Sequence, residues 1–244
     1  MPPFIVRRIT AMSEHISKRY DHELEGVRTG LLQMGGLIEQ QIEHAMRGVI
    51  ERNLPMLEEV IANDKKVNAM EVELDDACIH LIAKRQPAAG DLRVIMSVVK
   101  IITDLERIGD EVKKIAKMGR HILESDAVFV PRVELRHAAS LAVDMLRRTL
   151  DSLARMDVGS ATEVVRQDKE VDAEFKSIMR QLITFMMEDP RTISCGLDLL
   201  FIAKAIERIG DHSKNMAQYV VFMVKGTDVR HGGLAAMEAA AASD

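Results

Sequence analysis

Two carboxylate pairs stand out first. Glu106 and Asp110 are four residues apart, and so are Glu207 and Asp211. On a helix that spacing puts both side chains on one face, about 6 Å apart along the axis. A second stretch offers matching groups, Asp64 with Asn68 early in the chain and Asp168 with Asp172 later. Where two such helices face each other, three or four oxygen donors meet. A cluster of that kind repels itself unless cations neutralise it, and hard oxygen donors suit Mg²⁺, Ca²⁺, Mn²⁺ or iron. Two plainer accounts stand beside this one. Charges at i,i+4 are ordinary on solvated helix faces, where Arg107 or Lys114 would neutralise them. Asp64 and Asp168 also suit helix N-caps after Asn63 and Gln167.

The repetition of these groups is itself informative. Glu106-Arg-Ile-Gly-Asp110 returns unchanged as Glu207-Arg-Ile-Gly-Asp211, an offset of 207 − 106 = 101. Asp64-Lys-Lys-Val-Asn-Ala69 returns as Asp168-Lys-Glu-Val-Asp-Ala173, an offset of 168 − 64 = 104. The three-residue difference falls between them, where QPAAGDLR faces EDPRTISCG. Duplication of one helical unit leaves such a gap in a turn. Gly109 and Gly210 sit mid-helix inside the repeated motif, where glycine costs about 1 kcal/mol relative to alanine. Something there requires a missing side chain, and close helix contact and room for an ion are both adequate reasons.

The elements that position these groups are helical. Over residues 28–52, Leu31, Met34, Ile38, Ile42, Ala45 and Val49 recur every three or four positions, opposite Glu39, Glu43, Arg47 and Glu51. Asn53-Leu54-Pro55 ends that helix. A second spans about Pro55 to Lys84, with a break conceivable near Asn63-Asp64. A third runs from about Asp91 to Leu123, with Ile95, Val98, Ile102, Leu105 and Val112 near heptad spacing. Residues 124–131 read as a linker. Period-two runs between hairpin turns are absent, so the expected class is all-α: two tandem, pseudo-symmetric three-helix bundles.

Composition agrees. Of 244 residues, 47% are hydrophobic, with 16 Met and no Trp, and the net charge is −5. An acidic balance disfavours nucleic acid, whose phosphates are met by clustered Lys and Arg. No stretch approaches the ~20 apolar residues of a membrane span, and the N-terminal segment lacks a signal peptide's apolar core. A cytoplasmic protein is expected. Cys78 and Cys195 fit neither a disulfide framework nor a metal knuckle, and read as buried small residues.

Enzyme signatures are sparse. A di-iron carboxylate bundle wants paired Glu-x-x-His motifs, and only Glu134-Leu-Arg-His137 occurs, unduplicated. His212 follows Asp211 but its counterpart is Glu111, so a local helix contact is expected. Methionines at apolar positions read as core. No catalytic residue is assigned. The rival reading is a metal-dependent, phosphatase-like enzyme using the carboxylate clusters.

From about Tyr20 to Gly226 the sequence resembles the PhoU family. The stretches that carry the likeness are YDHELEGVRTGLLQMGGLIEQQIEHAM, VNAMEVELDDACIHLIAKRQPAAGDLR and ITDLERIGDEVKKIAK, then ARMDVGSATEVVRQDKEVD, RQLITFMMEDPRT and AIERIGDHSKNMAQYVVFMVKG. The resemblance implies PhoU-like three-helix bundles, at 21–125 and 126–226; residues 1–20 read as a lead, and the alanine-rich 227–244, whose alanines suit a terminal helix, is expected to be a mobile tail. It implies that Glu106 with Asp110, Glu207 with Asp211, Asp168 with Asp172, and Asp64 bind a divalent or trivalent metal ion (Mg, Mn, Fe, Zn or Ca). Asn68 replaces the family's carboxylate and leaves the first site the weaker one. The implied role is negative regulation of phosphate uptake and of the phosphate-starvation response. The implied partners are the ATPase subunit of a high-affinity phosphate transporter and a sensor histidine kinase. Membrane contact would come only through them, and a homodimer stays open.

Overall fold

The computed structural model describes residues 3–125, 130–230 and 232–242. Its elements are α1 (Pro3–Ile50), α2 (Leu54–Arg85), α3 (Ala89–Glu124), α4 (Leu135–Arg155), α5 (Val158–Glu188), a 3-10 turn (Pro190–Thr192), α6 (Ile193–Lys225) and α7 (Gly233–Ala242). No strand occurs among the described residues.

The periodic apolar stripe puts Leu31, Met34, Ile38, Ile42 and Ala45 of α1 in the core, with Val49 packed at its edge. Helix α1 starts well before residue 28, so the backbone of the lead is continuous with the first bundle. Helix α2 runs unbroken through Asn63-Asp64, which removes the N-cap account of Asp64. Asp168 is likewise inside α5. The true caps are Asn53, which accepts from the Met56 N–H, and Asp157, which accepts from the Ser160 N–H. They too are repeats, since 157 − 53 = 104.

α1, α2 and α3 form one bundle and α4, α5 and α6 the other. They join chiefly where α3 packs on α6, the most extensive helix pairing in the chain. The two run antiparallel: Asp104 meets His212, Glu111 meets Arg208 and His121 meets Asp198. This brings the two Glu-Arg-Ile-Gly-Asp motifs to the same level on either side of a pseudo-twofold axis. The tail departs from expectation. Residues 233–242 form α7, with Met237 and Ala240 buried and Glu238 bonded to Arg166 of α5. Two buried apolar groups and an ion pair hold this segment down.

Candidate functional site

Each motif faces the second helix of its own bundle. A Cβ built on Gly109 would lie 3.0 Å from Val67 Cγ1, and one on Gly210 would lie 3.4 Å from Val171 Cγ1. The valines are equivalent residues of α2 and α5, since 171 − 67 = 104. Close helix approach therefore accounts for Gly109, whereas a Cβ on Gly210 would make an ordinary van der Waals contact, so packing alone does not require that glycine.

In the first bundle, Asp64 is buried, and Lys113 donates to its Oδ2 at 2.6 Å. The other oxygen, Oδ1, is buried with no hydrogen-bond partner. Asp110 and Glu106 lie about one and two turns back from Lys113 along α3. Arg107 reaches them at 3.5 and 3.8 Å, but its side chain is 59% exposed and holds them weakly. Burial raises the Glu106 pKa, and the charges of Asp110, Glu71 and Asp64 raise it further. Glu71, missed in the sequence, is thus part of this cluster. Its own pKa is raised by burial, then by Asp75 and Asp110. It lies seven residues after Asp64 and three after Asn68, on the same face of α2, and that spacing was the signal to find it.

The second bundle repeats the arrangement with one difference. Lys214 donates to Asp168 Oδ2 at 2.5 Å. Burial raises the pKa of Asp168 despite that bond, and burial with the Glu207 charge raises that of Asp211. Asp172 contributes to both shifts. Lys113 and Lys214 share the motif's own offset, 214 − 113 = 101, so the repeated unit extends to Glu-Arg-Ile-Gly-Asp-x-x-Lys. Phe175 replaces Glu71, since 175 − 71 = 104. Lys204 lies over the Phe175 ring, 5.2 Å from its centre, and donates to both Glu207 oxygens at 2.6 Å.

Glu71 and Lys204 add two differences between the bundles to the one at Asn68. Each cluster holds four carboxylates: Asp64, Glu71, Glu106 and Asp110 in the first, Asp168, Asp172, Glu207 and Asp211 in the second. The first has one tightly bonded ammonium and the second has two. The hard-oxygen donor set suits a hard cation. Among the described residues, however, no three His, Cys, Asp or Glu side chains lie close enough together to hold one ion. A cation entering either groove competes with the lysine already there.

Other sequence-level readings resolve as follows. The described side-chain hydrogen bond of His212 is not local but crosses to the other bundle. Its Nδ1 lies 2.7 Å from Asp104 Oδ1 in the other bundle. Its counterpart Glu111 spans the same interface to Arg208, 3.6 Å away. Cys78 and Cys195 are free and buried, and burial pushes the Cys78 thiol up to about 11, far from a reactive thiolate. No helix among the described residues is long and apolar enough to cross a membrane.

Known proteins give the same architecture. A protein-family model for the PhoU domain matches twice, at residues 31–118 and 135–220. The phosphate-specific transport system accessory protein PhoU homolog of Pseudomonas aeruginosa is 43% identical over 228 residues, covering 93% of this chain and 94% of the relative. The phosphate-specific transport system accessory protein PhoU of Escherichia coli K12 is 43% identical over 222 residues, covering 91% and 92%. The crystal structure of PhoU from Pseudomonas aeruginosa superposes with a TM-score of 0.82 at 42% identity, covering 85% of this chain and all of that one. The PhoU structure from Streptococcus pneumoniae gives 0.80 at 25% identity, over 86% and 99%. Two matched domains, relatives aligned over nine-tenths of the chain and a shared all-helical fold place this chain in the PhoU family.

Proposed function

We propose that this chain is a non-enzymatic adaptor on the cytoplasmic side of a phosphate transport system, restraining uptake and the starvation response when phosphate is plentiful. Its partners are the transporter's ATPase subunit and a sensor histidine kinase. The relatives' names as transport accessory proteins support the first partner. The structural observation that carries the reading is a pair of exposed apolar faces at matching positions. Ile79, Leu92 and Met96 on the α2–α3 hairpin correspond to Ile183, Ile193 and Leu197 on the α5–α6 hairpin. The offsets are again 183 − 79 = 104 and 197 − 96 = 101. Large apolar side chains in water mark protein contacts when they cluster. Two copies related by a pseudo-twofold axis suit a partner that is itself two-fold, as paired transporter ATPases and dimeric kinases are. The second face is the larger, with Met187 79% exposed and Phe201 48% exposed. Immobilised chain is expected to retain the purified ATPase subunit and the purified cytoplasmic part of the kinase, each tested alone. Retention of neither would overturn the adaptor reading.

The carboxylate clusters supply a second element of the proposal. A divalent or trivalent cation would bind in the first bundle by drawing together Asp64, Glu71, Glu106, Asp110 and the Asn68 carbonyl, which do not converge on one point without it, and one lysine competes. In the second bundle Lys204 and Lys214 already neutralise much of the charge. Mn²⁺ is expected to raise the melting temperature of the protein. Glu71→Gln with Glu106→Gln should remove most of that rise, and Asp172→Asn with Glu207→Gln little of it. Equal losses, or a larger loss in the second pair, would contradict the assignment.

A further inference from the structure

Away from both clusters, a cavity of about 740 Å³ opens where the ends of α1 and α3 meet the start of α4 and the side of α6. Arg52, Arg132 and Arg136 line it. None of the three side chains makes a hydrogen bond or ion pair with any described residue. Elsewhere in the chain Arg85, Arg147, Arg166, Arg191 and Arg230 each hold a carboxylate. Glu134 is the single acid among the described lining residues, and it makes no cap hydrogen bond to α4. The first-turn amides of that 21-residue helix therefore keep their positive field at the cavity edge.

Arg52 occupies an unusual backbone position. Its φ is +56°, in the turn between α1 and α2, and the equivalent Met156 has φ +53°. The turn demands the left-handed conformation in both bundles, where glycine or asparagine is the usual resident. An arginine there carries a backbone cost and sets a guanidinium on the cavity wall. The remaining lining is apolar, including Val49, Ile122 and Leu199. Convergent cations on an apolar wall are the make-up of a small-molecule site for a charged ligand.

We propose that this cavity binds a phosphoryl group through Arg52, Arg132 and Arg136. Guanidinium forks match phosphate oxygens in pairs, and three arginines outnumber Glu134, the one acid among the described lining residues. The phosphoryl group comes either as free phosphate or on a larger organic molecule, for which the volume leaves room. The inference is independent of the adaptor reading, because it concerns a different face and a different readout.

Calorimetric titration of the full chain with inorganic phosphate, and separately with ADP in the absence of divalent metal, distinguishes the two sources. Saturable binding of at least one probe is expected, weakening as NaCl is raised. Arg132→Gln and Arg136→Gln should each weaken it about tenfold or more. Arg180→Gln, an exposed arginine on α5 outside the cavity, should leave it unchanged. All of these positions are exposed, so the variants fold, and unchanged melting temperatures verify that. Binding of neither probe overturns the proposal. So does binding that survives both cavity substitutions.

Discussion

Lys214→Ala is expected to cost about 3 kcal/mol of folding stability at neutral pH, the low end for breaking a buried ion pair because Lys214 is itself about one-third exposed. The reason lies in what remains. Asp168 is buried, loses the ammonium bonded to it, and is left facing Asp172 and Asp211. Replacing both partners, as Asp168→Asn with Lys214→Met, should restore much of the loss, since no buried charge is then unpaired. The pH dependence gives an independent check. Burial already raises the Asp168 pKa above its ordinary 3.8, and removing the lysine raises it further. A carboxyl whose folded pKa exceeds its unfolded one contributes stability below the unfolded pKa, and that contribution is lost as pH rises through the folded pKa. The deficit of Lys214→Ala should therefore shrink as pH is lowered from neutrality towards about 4. Denaturant unfolding at several pH values measures it. A deficit that is absent, or that grows in acid, would show that Asp168 finds another partner.

The second large effect is expected at the surface. Leu197→Glu with Phe201→Glu should reduce retention of the ATPase subunit and the kinase at least tenfold. The fold should change little, because both side chains are over 40% exposed and such sites usually move stability by no more than about 0.5 kcal/mol. The two residues are one turn apart on α6, so the change places two charges in the middle of the larger apolar face. Matching substitutions in the first bundle, such as Met96→Glu, should have the smaller effect, because that face is poorer in large side chains. If the α6 variant binds as the parent does, the partner meets another surface.

Much of this architecture is written locally. The stripe from Leu31 to Ala45 and the near-heptad run from Ile95 to Val112 each lie within one helix, and every buried position there follows from a period of 3.6 residues. The repeat offsets of 104 and 101 bring the carboxylates to equivalent places before any coordinates exist. Long-range partners are harder to read. Lys113 meets Asp64 across 49 residues and Lys214 meets Asp168 across 46, and neither lysine has a local feature to mark it. The signal available in the sequence, the continued identity of the repeat at Lys113 and Lys214, lies beyond the motif that ends at Asp211. His212 and Asp104, 108 residues apart, depend on how one bundle packs on the other, which no single helix encodes. The docking of helix α7 escaped, though not its helical composition, because an alanine-rich segment has no polar face to contrast with its buried one. Met237 and Ala240 are buried by tertiary contact alone.

The lysine-filled clusters also bear on regulation. A carboxylate groove that an ammonium already occupies keeps the paired helices together without a bound ion. On the proposed reading, a cation would then add stability where neutralisation is incomplete, in the first bundle. On this account the clusters hold the bundles in shape and the outer hairpin faces do the signalling, so removing a cluster weakens regulation through stability and removing a face abolishes it directly.

The measurement that tests the central claim most directly is the output of a phosphate-starvation reporter, such as alkaline phosphatase, in phosphate-rich medium. It compares the parent strain, a strain lacking this gene, and that strain complemented by the intact chain. The account predicts that the deletion strain expresses the reporter despite ample phosphate and that complementation silences it. Unchanged output in a deletion strain with no second copy of the gene would contradict a role in restraining the response.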